Sequence, residues 1–167
     1  MSQVTDVLVS IDTETILKNY PDISKNPAAP TLIDFKHVYM VTHNNHVISG
    51  QAGDELDLKA DVGDLIRWRE TSVSQSFETA VIFYKFVGHQ GNHLISPPSP
   101  RRATACIAVP NVSNPSEPSC QKIDNHYWCS ETLSSGQVTY QFHFLIVDRD
   151  CKIAGCCSWS PLISIHN

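Results

Sequence analysis

The stretch KIDNHYWCSE, residues 122 to 131, gathers more of the chemistry in this 167-residue chain than any other. Recognition of a polyhydroxylated ligand needs a flat aromatic for its C–H face and planar carboxylate or carboxamide groups for paired hydroxyls. Asp124, Asn125, His126, Tyr127 and Trp128 supply both kinds of group at consecutive positions. On an extended segment, alternation buries one of the two aromatics and exposes the other. An exposed Trp beside Asp-Asn would suit a sugar, so these five residues are the candidate ligand contacts. The plainer expectation is that Tyr127 or Trp128 fills the core, as aromatics usually do.

Metal chemistry has thinner support. Asp12 and Glu14, two positions apart after the apolar run VLVSI, share a face if that strand continues. With loop carbonyls they would make a Ca²⁺ site; a solvated or capping pair is the competing reading. His43 and His46 in HNNH and His89 and His93 in GHQGNH lie in turn-like stretches, without the paired cysteines of a structural zinc site. A blue-copper loop needs Cys and His together with a nearby Met, and Met40 has no cysteine near it. No GxSxG, P-loop or dinucleotide glycine pattern occurs, so the chain reads as non-enzymatic, with no cofactor beyond that Ca²⁺. All six cysteines, Cys106, Cys120, Cys129, Cys151, Cys156 and Cys157, lie in the C-terminal half. Six cysteines permit 15 pairings and spacing selects none of them.

The elements that must position these groups are strands. VTYQFHFLIV, 138 to 147, alternates with period two and sets Val138, Tyr140, Phe142, Phe144 and Ile146 on one face. TAVIFYKFV, 79 to 87, has the same β-branched and aromatic character. Shorter strand-like runs are TDVLVSI, FKHVYMVTH, HVISGQ, ELDLKA, DLIRWRE, ATACIAV and PLISIH. HNNH, QAGDE and DVGD read as turns, HNNH as a hairpin tip, and DRD at 148 to 150 as a charged turn after the longest strand. TETILKNY is the one short helix, with Thr13 as its N-cap. Trp68 faces the core, and Trp159, between serines, sits near the surface. The sum is an all-β fold, a single-domain antiparallel β-sandwich of Ig-like or jelly-roll type spanning residues 1–167.

Long proline-containing loops accompany those strands. Residues 10 to 34 hold three prolines and no glycine, and either cover an exposed sheet edge or form a binding surface. SPPSP at 96 to 100 and PNVSNPSEPSC at 110 to 120 are loops that no central strand could contain. Composition limits the partners. The formal charge is −5 and basic residues form only the pairs Arg67/Arg69 and Arg101/Arg102, which argues against nucleic acid. No apolar run reaches the 18 or so residues of a membrane helix. No secretory signal is visible, so a cytoplasmic protein with reduced thiols is expected, with release by a non-classical route left open.

Four stretches taken together, DVLVSIDTETILKNYP, HVYMVT, ISGQAGDELDLKADVGDLIRWRE and FHFLIVDRDCKIAGCCSWSPLISI, resemble the AidA/PixA family of bacterial inclusion-body and nematocidal proteins. Residues 88 to 136 carry no such likeness. The resemblance implies an accessory protein of a host-associated bacterium, with a virulence context and no catalytic motif. Two functions follow as expectations. The first is a lectin-like, homo-oligomeric binder of carbohydrate or another host-surface ligand through Asp124, Asn125, His126, Tyr127 and Trp128. The second is a self-assembling inclusion-body or storage protein without a specific small ligand.

Overall fold

The computed structural model describes residues 2–166. Twelve strands account for most of them. In chain order they are β1 (Val4–Ile11), β2 (Thr31–Leu32), β3 (Val38–Thr42), β4 (Val47–Ser49), β5 (Glu55–Lys59) and β6 (Leu65–Ser72). The second half holds β7 (Ala80–Gly88), β8 (Ser99–Val109), β9 (Ser119–Glu131), β10 (Gly136–Val147), β11 (Ile153–Trp159) and β12 (Leu162–His166). One short helix, α1 (Thr13–Asn19), follows β1. None of the helices described is long and apolar enough to cross a membrane.

The strands form a five-stranded sheet in the order β3-β1-β6-β9-β8 and a seven-stranded sheet in the order β2-β11-β10-β12-β5-β4, with β7 paired to β10. β10 organises the second sheet. β11 and β12 lie end to end along one edge of it, interrupted at Ser160-Pro161, and β7 runs along the other. The alternation expected for β10 is realised: Val138, Tyr140, Phe142, Phe144 and Ile146 are all buried. They face Val7, Val9, Ile66, Trp68 and Trp128 of the other sheet across one continuous apolar core. Phe142 is its centre, with ring contacts to Trp68, Phe83, Phe86, Trp128, Tyr140 and Trp159. Two of its polar ring atoms are joined there, since Trp68 Nε1–H donates to Tyr140 Oη at 3.2 Å.

Pairing is mixed where an antiparallel sandwich was expected. β1–β6, β2–β11 and β5–β12 are parallel. Between β1 and β6 the chain passes through β4 and β5 of the second sheet, which supplies the crossover connection that a parallel pair requires. HNNH is accordingly a single 3-10 turn over Asn44–His46 that carries the chain from one sheet to the other, and no hairpin tip. The true hairpin there is β4–β5, whose turn begins at Gly50 with φ +80°. A side chain at Gly50 would also run into the carbonyl of Glu55.

The proline-containing segment after α1 protects an edge. Ser24 O accepts from Cys156 N at 2.6 Å and Ile33 N donates to Ser158 O at 3.0 Å, so β2 and the residues before it close the outer edge of β11. Tyr84 Oη donates to Pro27 O at 2.8 Å and Tyr20 Oη accepts from Asp34 N at 2.9 Å, which pins the segment at both ends. Ile23 lies so close to Gly155 that an added Cβ would sit 2.7 Å from Ile23 Cδ1. With one face of β11 on the core and the other under this segment, Cys156, Cys157 and Trp159 are all buried. Trp159 is therefore a core residue at 1% exposure and lies away from the surface position expected of it. SPPSP is likewise only partly loop: Ser99 and Pro100 open β8, where an edge strand tolerates the missing N–H.

Because six aromatic rings converge on Phe142, truncation there leaves a cavity that no single neighbour can fill. Phe142→Ala is expected to lower unfolding free energy by about 3–5 kcal/mol, measured by equilibrium denaturation.

Candidate functional site

β9 runs with β6 only from Glu131 to Trp128, opposite Leu65 to Trp68. Beyond Trp128 the two strands separate, while β9 stays paired with β8 from Cys129 to Ser119. The five candidate ligand residues lie at this point of separation. They occupy a long strand, and alternation distributes them between its two faces.

Trp128 falls on the inner face. It is 6% exposed, packs edge-on against Phe142, and stands opposite Trp68 in the ladder. The expected exposed Trp is therefore absent, since Trp68 and Trp159 are also in the core. Tyr127 points outward and is half-buried, with the Arg67 guanidinium 5.3 Å from its ring centroid. That guanidinium is fixed by a bidentate pair to Asp6 on β1, Nε to Oδ1 at 2.6 Å and Nη2 to Oδ2 at 2.8 Å. Asp124 is further out on the exposed ribbon, within 3.4 Å of Thr104 Oγ1. Asn125, His126 and Tyr127 line a cleft of about 380 Å³ floored by Leu8 and flanked by Arg67 and Arg69. A second cleft, of about 580 Å³, continues past Leu8, Arg69 and His126 toward the turn between β6 and β7. Gln75 and Ser76 in that turn both hold positive φ, a strained conformation for residues with a side chain.

His126 occupies the gap left by the departing strand. Its Nε2 is 2.5 Å from Oε1 of Glu70, whose side chain is 0% exposed. The same Oε1 accepts from Phe83 N at 3.1 Å. On its other side the ring presents Nδ1 to Arg69 Nη1 at 3.4 Å, and Arg69 also donates to the His126 carbonyl. An arginine only donates and a carboxylate accepts, so this geometry fits the tautomer with the proton on Nε2. Glu70, His126 and Arg69 thus tie β6, β7 and β9 together where the backbone ladder fails. Glu70, Arg67, Arg69, Asp6 and Leu8 were missed as site residues from sequence. The available signal was the alternation Arg67-Trp68-Arg69, which sets both guanidiniums on the face opposite a core tryptophan.

The Ca²⁺ candidates separate. Asp12, and not Thr13, caps α1, with its carboxylate accepting from Thr15 N at 3.1 Å. The strand ends before Glu14, which is exposed in the first helical turn, so the two carboxylates share no strand face. Among the described residues no three His, Cys, Asp or Glu side chains gather as a metal site would need. The cysteines are also sorted by position. Cys106 and Cys120 form a disulfide across β8 and β9, where reduced thiols were expected. Cys129, Cys151, Cys156 and Cys157 are free. Burial pushes the Cys157 thiol up to about 12 and raises those of Cys129 and Cys156 as well.

Comparison with known proteins places this architecture. The family described as PixA, inclusion body protein, matches residues 3–165. No curated protein matches the chain. The crystal structure of the inclusion body protein PixA from Burkholderia cenocepacia J2315 aligns with a TM-score of 0.84 at 22% identity, covering 99% of this chain and 97% of that one. The cysteine protease inhibitor EhICP2 from Entamoeba histolytica aligns with a TM-score of 0.28 at 15% identity, over 67% of this chain and 86% of that one.

Two measurements check this geometry. His126→Ala strands the buried Glu70 carboxylate with only the Phe83 amide, and is expected to lower stability by about 2–3 kcal/mol in chemical denaturation. In a thiol-labelling time course on the native protein, exposed Cys151 is expected to react first, and Cys156 and Cys157 only on unfolding.

Proposed function

The chain belongs to the PixA inclusion body protein family, and from that premise we propose that it is a non-enzymatic accessory protein that accumulates and self-associates. The observation that carries this reading is the family match over residues 3–165, nearly the whole chain. The two facing sheets support classing the fold with Ig-like or jelly-roll sandwiches. Cytoplasmic synthesis with later release fits the same picture, because the Cys106–Cys120 disulfide is suited to an oxidising compartment. Sedimentation velocity over a wide concentration range tests the proposal. Reversible growth of oligomers with concentration is expected, and a single monomeric species throughout would overturn it.

A second reading, recognition of a carbohydrate or another polar host-surface ligand, is kept because of one observation. Asn125, His126 and Tyr127 line a cleft with Arg67 and Arg69 on its wall. Of the five residues singled out, these three are the ones we propose as ligand contacts; Trp128 supports the cleft from beneath. A glycan-array screen with Tyr127→Ala as control tests it. Binding that the substitution abolishes would support the cleft, and silence across the array would leave self-association as the account.

A further inference from the structure

Residues 101–109 of β8 and 119–127 of β9 form a two-stranded ribbon that leaves the sheet. Between positions 100 and 122 no residue is buried, and only Ala105 and Val109 are half-buried. A loop with Pro110, Pro115 and Pro118 joins the strands and presents Val112 at 96% exposure. The Cys106–Cys120 disulfide ties the ribbon near that end. Two strands that bury almost no side chain are marginal in water, and here only Ala103, Ala105 and Asn125 turn toward the sheet, across the cleft from Leu8 and Arg67. The excess surface is measurable. The chain exposes 9474 Å². Scaling of surface with mass gives about 8,200 Å² for a compact monomer of this size, an excess of about 1,200 Å². That exceeds the roughly 800 Å² each partner hides in an interface of standard size.

The outer edge of β8 ends the five-stranded sheet. Natural edges are usually guarded by lysine, proline or a bulge, or are covered. Past Arg101 and Arg102, from Ala103 to Val109, this one has no charge, no proline and no break in register. On the ribbon face that carries Tyr127, it aligns Ala103, Ala105, Ile107 and Val109, with Ile123 beside them on β9.

We propose that this edge is an assembly surface whose occupant is a second copy of the chain, with two β8 strands pairing antiparallel about a two-fold axis at Ala105. This deepens the self-association reading and rests on it. The charge pattern favours the self-partner. About that axis Arg101 meets Val109, Arg102 meets Ala108, Ala103 meets Ile107, and Ala105 meets its own counterpart. The two Arg101 side chains then stand about 27 Å apart along the strands. That distance is well beyond the roughly 8 Å over which charges interact at physiological salt. The five-stranded sheets of the two copies become one, and their apolar stripes run together on one face. A closed two-fold contact of this kind is self-complementary.

Charge reversal at the axis tests the assignment. Ala105→Lys and Ala105→Glu each place like charges face to face in a pair of identical chains. Mixed together, the same two variants place opposite charges there. Sedimentation equilibrium is expected to show each variant alone pairing at least about tenfold more weakly than wild type, and the equimolar mixture recovering wild-type affinity. Thermal unfolding of both variants at low concentration is expected to match wild type, because position 105 lies outside the core. Wild type that associates while both variants associate equally well overturns this surface and leaves self-association standing. Wild type that stays monomeric overturns both.

Discussion

The interaction on which the rest depends is the contact of the β10 inner face with the tryptophans of the opposite sheet. Phe142 meets Trp68 and Trp128 edge-on at centroid separations of 5.9 and 5.6 Å, and stacks on Phe83 at 4.4 Å. Aromatic packing of this kind buries a large area per residue and also fixes ring orientation. It sets the spacing of the two sheets and so decides which residues of β6 and β9 point inward. Tyr127 and the two arginines of β6 face the outer clefts because Trp68 and Trp128 are held inside. The hydrogen bond from Trp68 to Tyr140 satisfies a polar atom from each sheet in the same layer, and burial without it would be costly.

The same contact explains why β9 parts from β6 after Trp128. Pairing continues as far as the two tryptophans lie opposite one another. Past them the inward position of β9 is His126 and that of β6 is Glu70, which replace an apolar contact by a polar one. The strands are therefore spread, and the clefts open on either side of that polar contact. The cleft lined by Asn125, His126 and Tyr127 and the projecting ribbon are in this sense two consequences of a single change in residue type at the rim of the core.

How legible each part was in the sequence follows from how it is buried. β10 and β6 have one face in and one face out, and that half-burial writes a period-two pattern that can be read directly. β11 is covered on both faces, by the core and by the segment that meets Tyr84 at Pro27, so IAGCCSW shows no alternation and was passed over. β9 failed for the opposite reason. SCQK is exposed on both faces of the ribbon and IDNH is at most half-buried, and a strand so exposed carries no hydrophobic signal. Trp128 was legible as an aromatic in an alternating pair, but which member of the pair turns inward depends on its register with Trp68, and a single strand does not encode register. Asp12 was recognised as a candidate cap or metal ligand, and it is the one-residue shift of the helix start from Thr13 that settles its job as the cap.

The division between core and ribbon has an energetic consequence. The core supplies the burial that holds the fold, and none of it lies between positions 100 and 122. The ribbon draws its local order from pairing between its own strands and from the Cys106–Cys120 cross-link, which restricts the unfolded hairpin more than it adds contacts to the folded one. Sequence change along β8 is thus nearly free of cost to the folded monomer, while its effect on whatever meets that edge is direct. An element arranged in this way can alter the association of the protein independently of its stability. Residues 88 to 136, where the sequence by itself showed no likeness to the family, contain β8 and β9 whole, and the family match runs through them from residue 3 to 165, so the missing motif reflects the exposure of the ribbon and not a departure from the family.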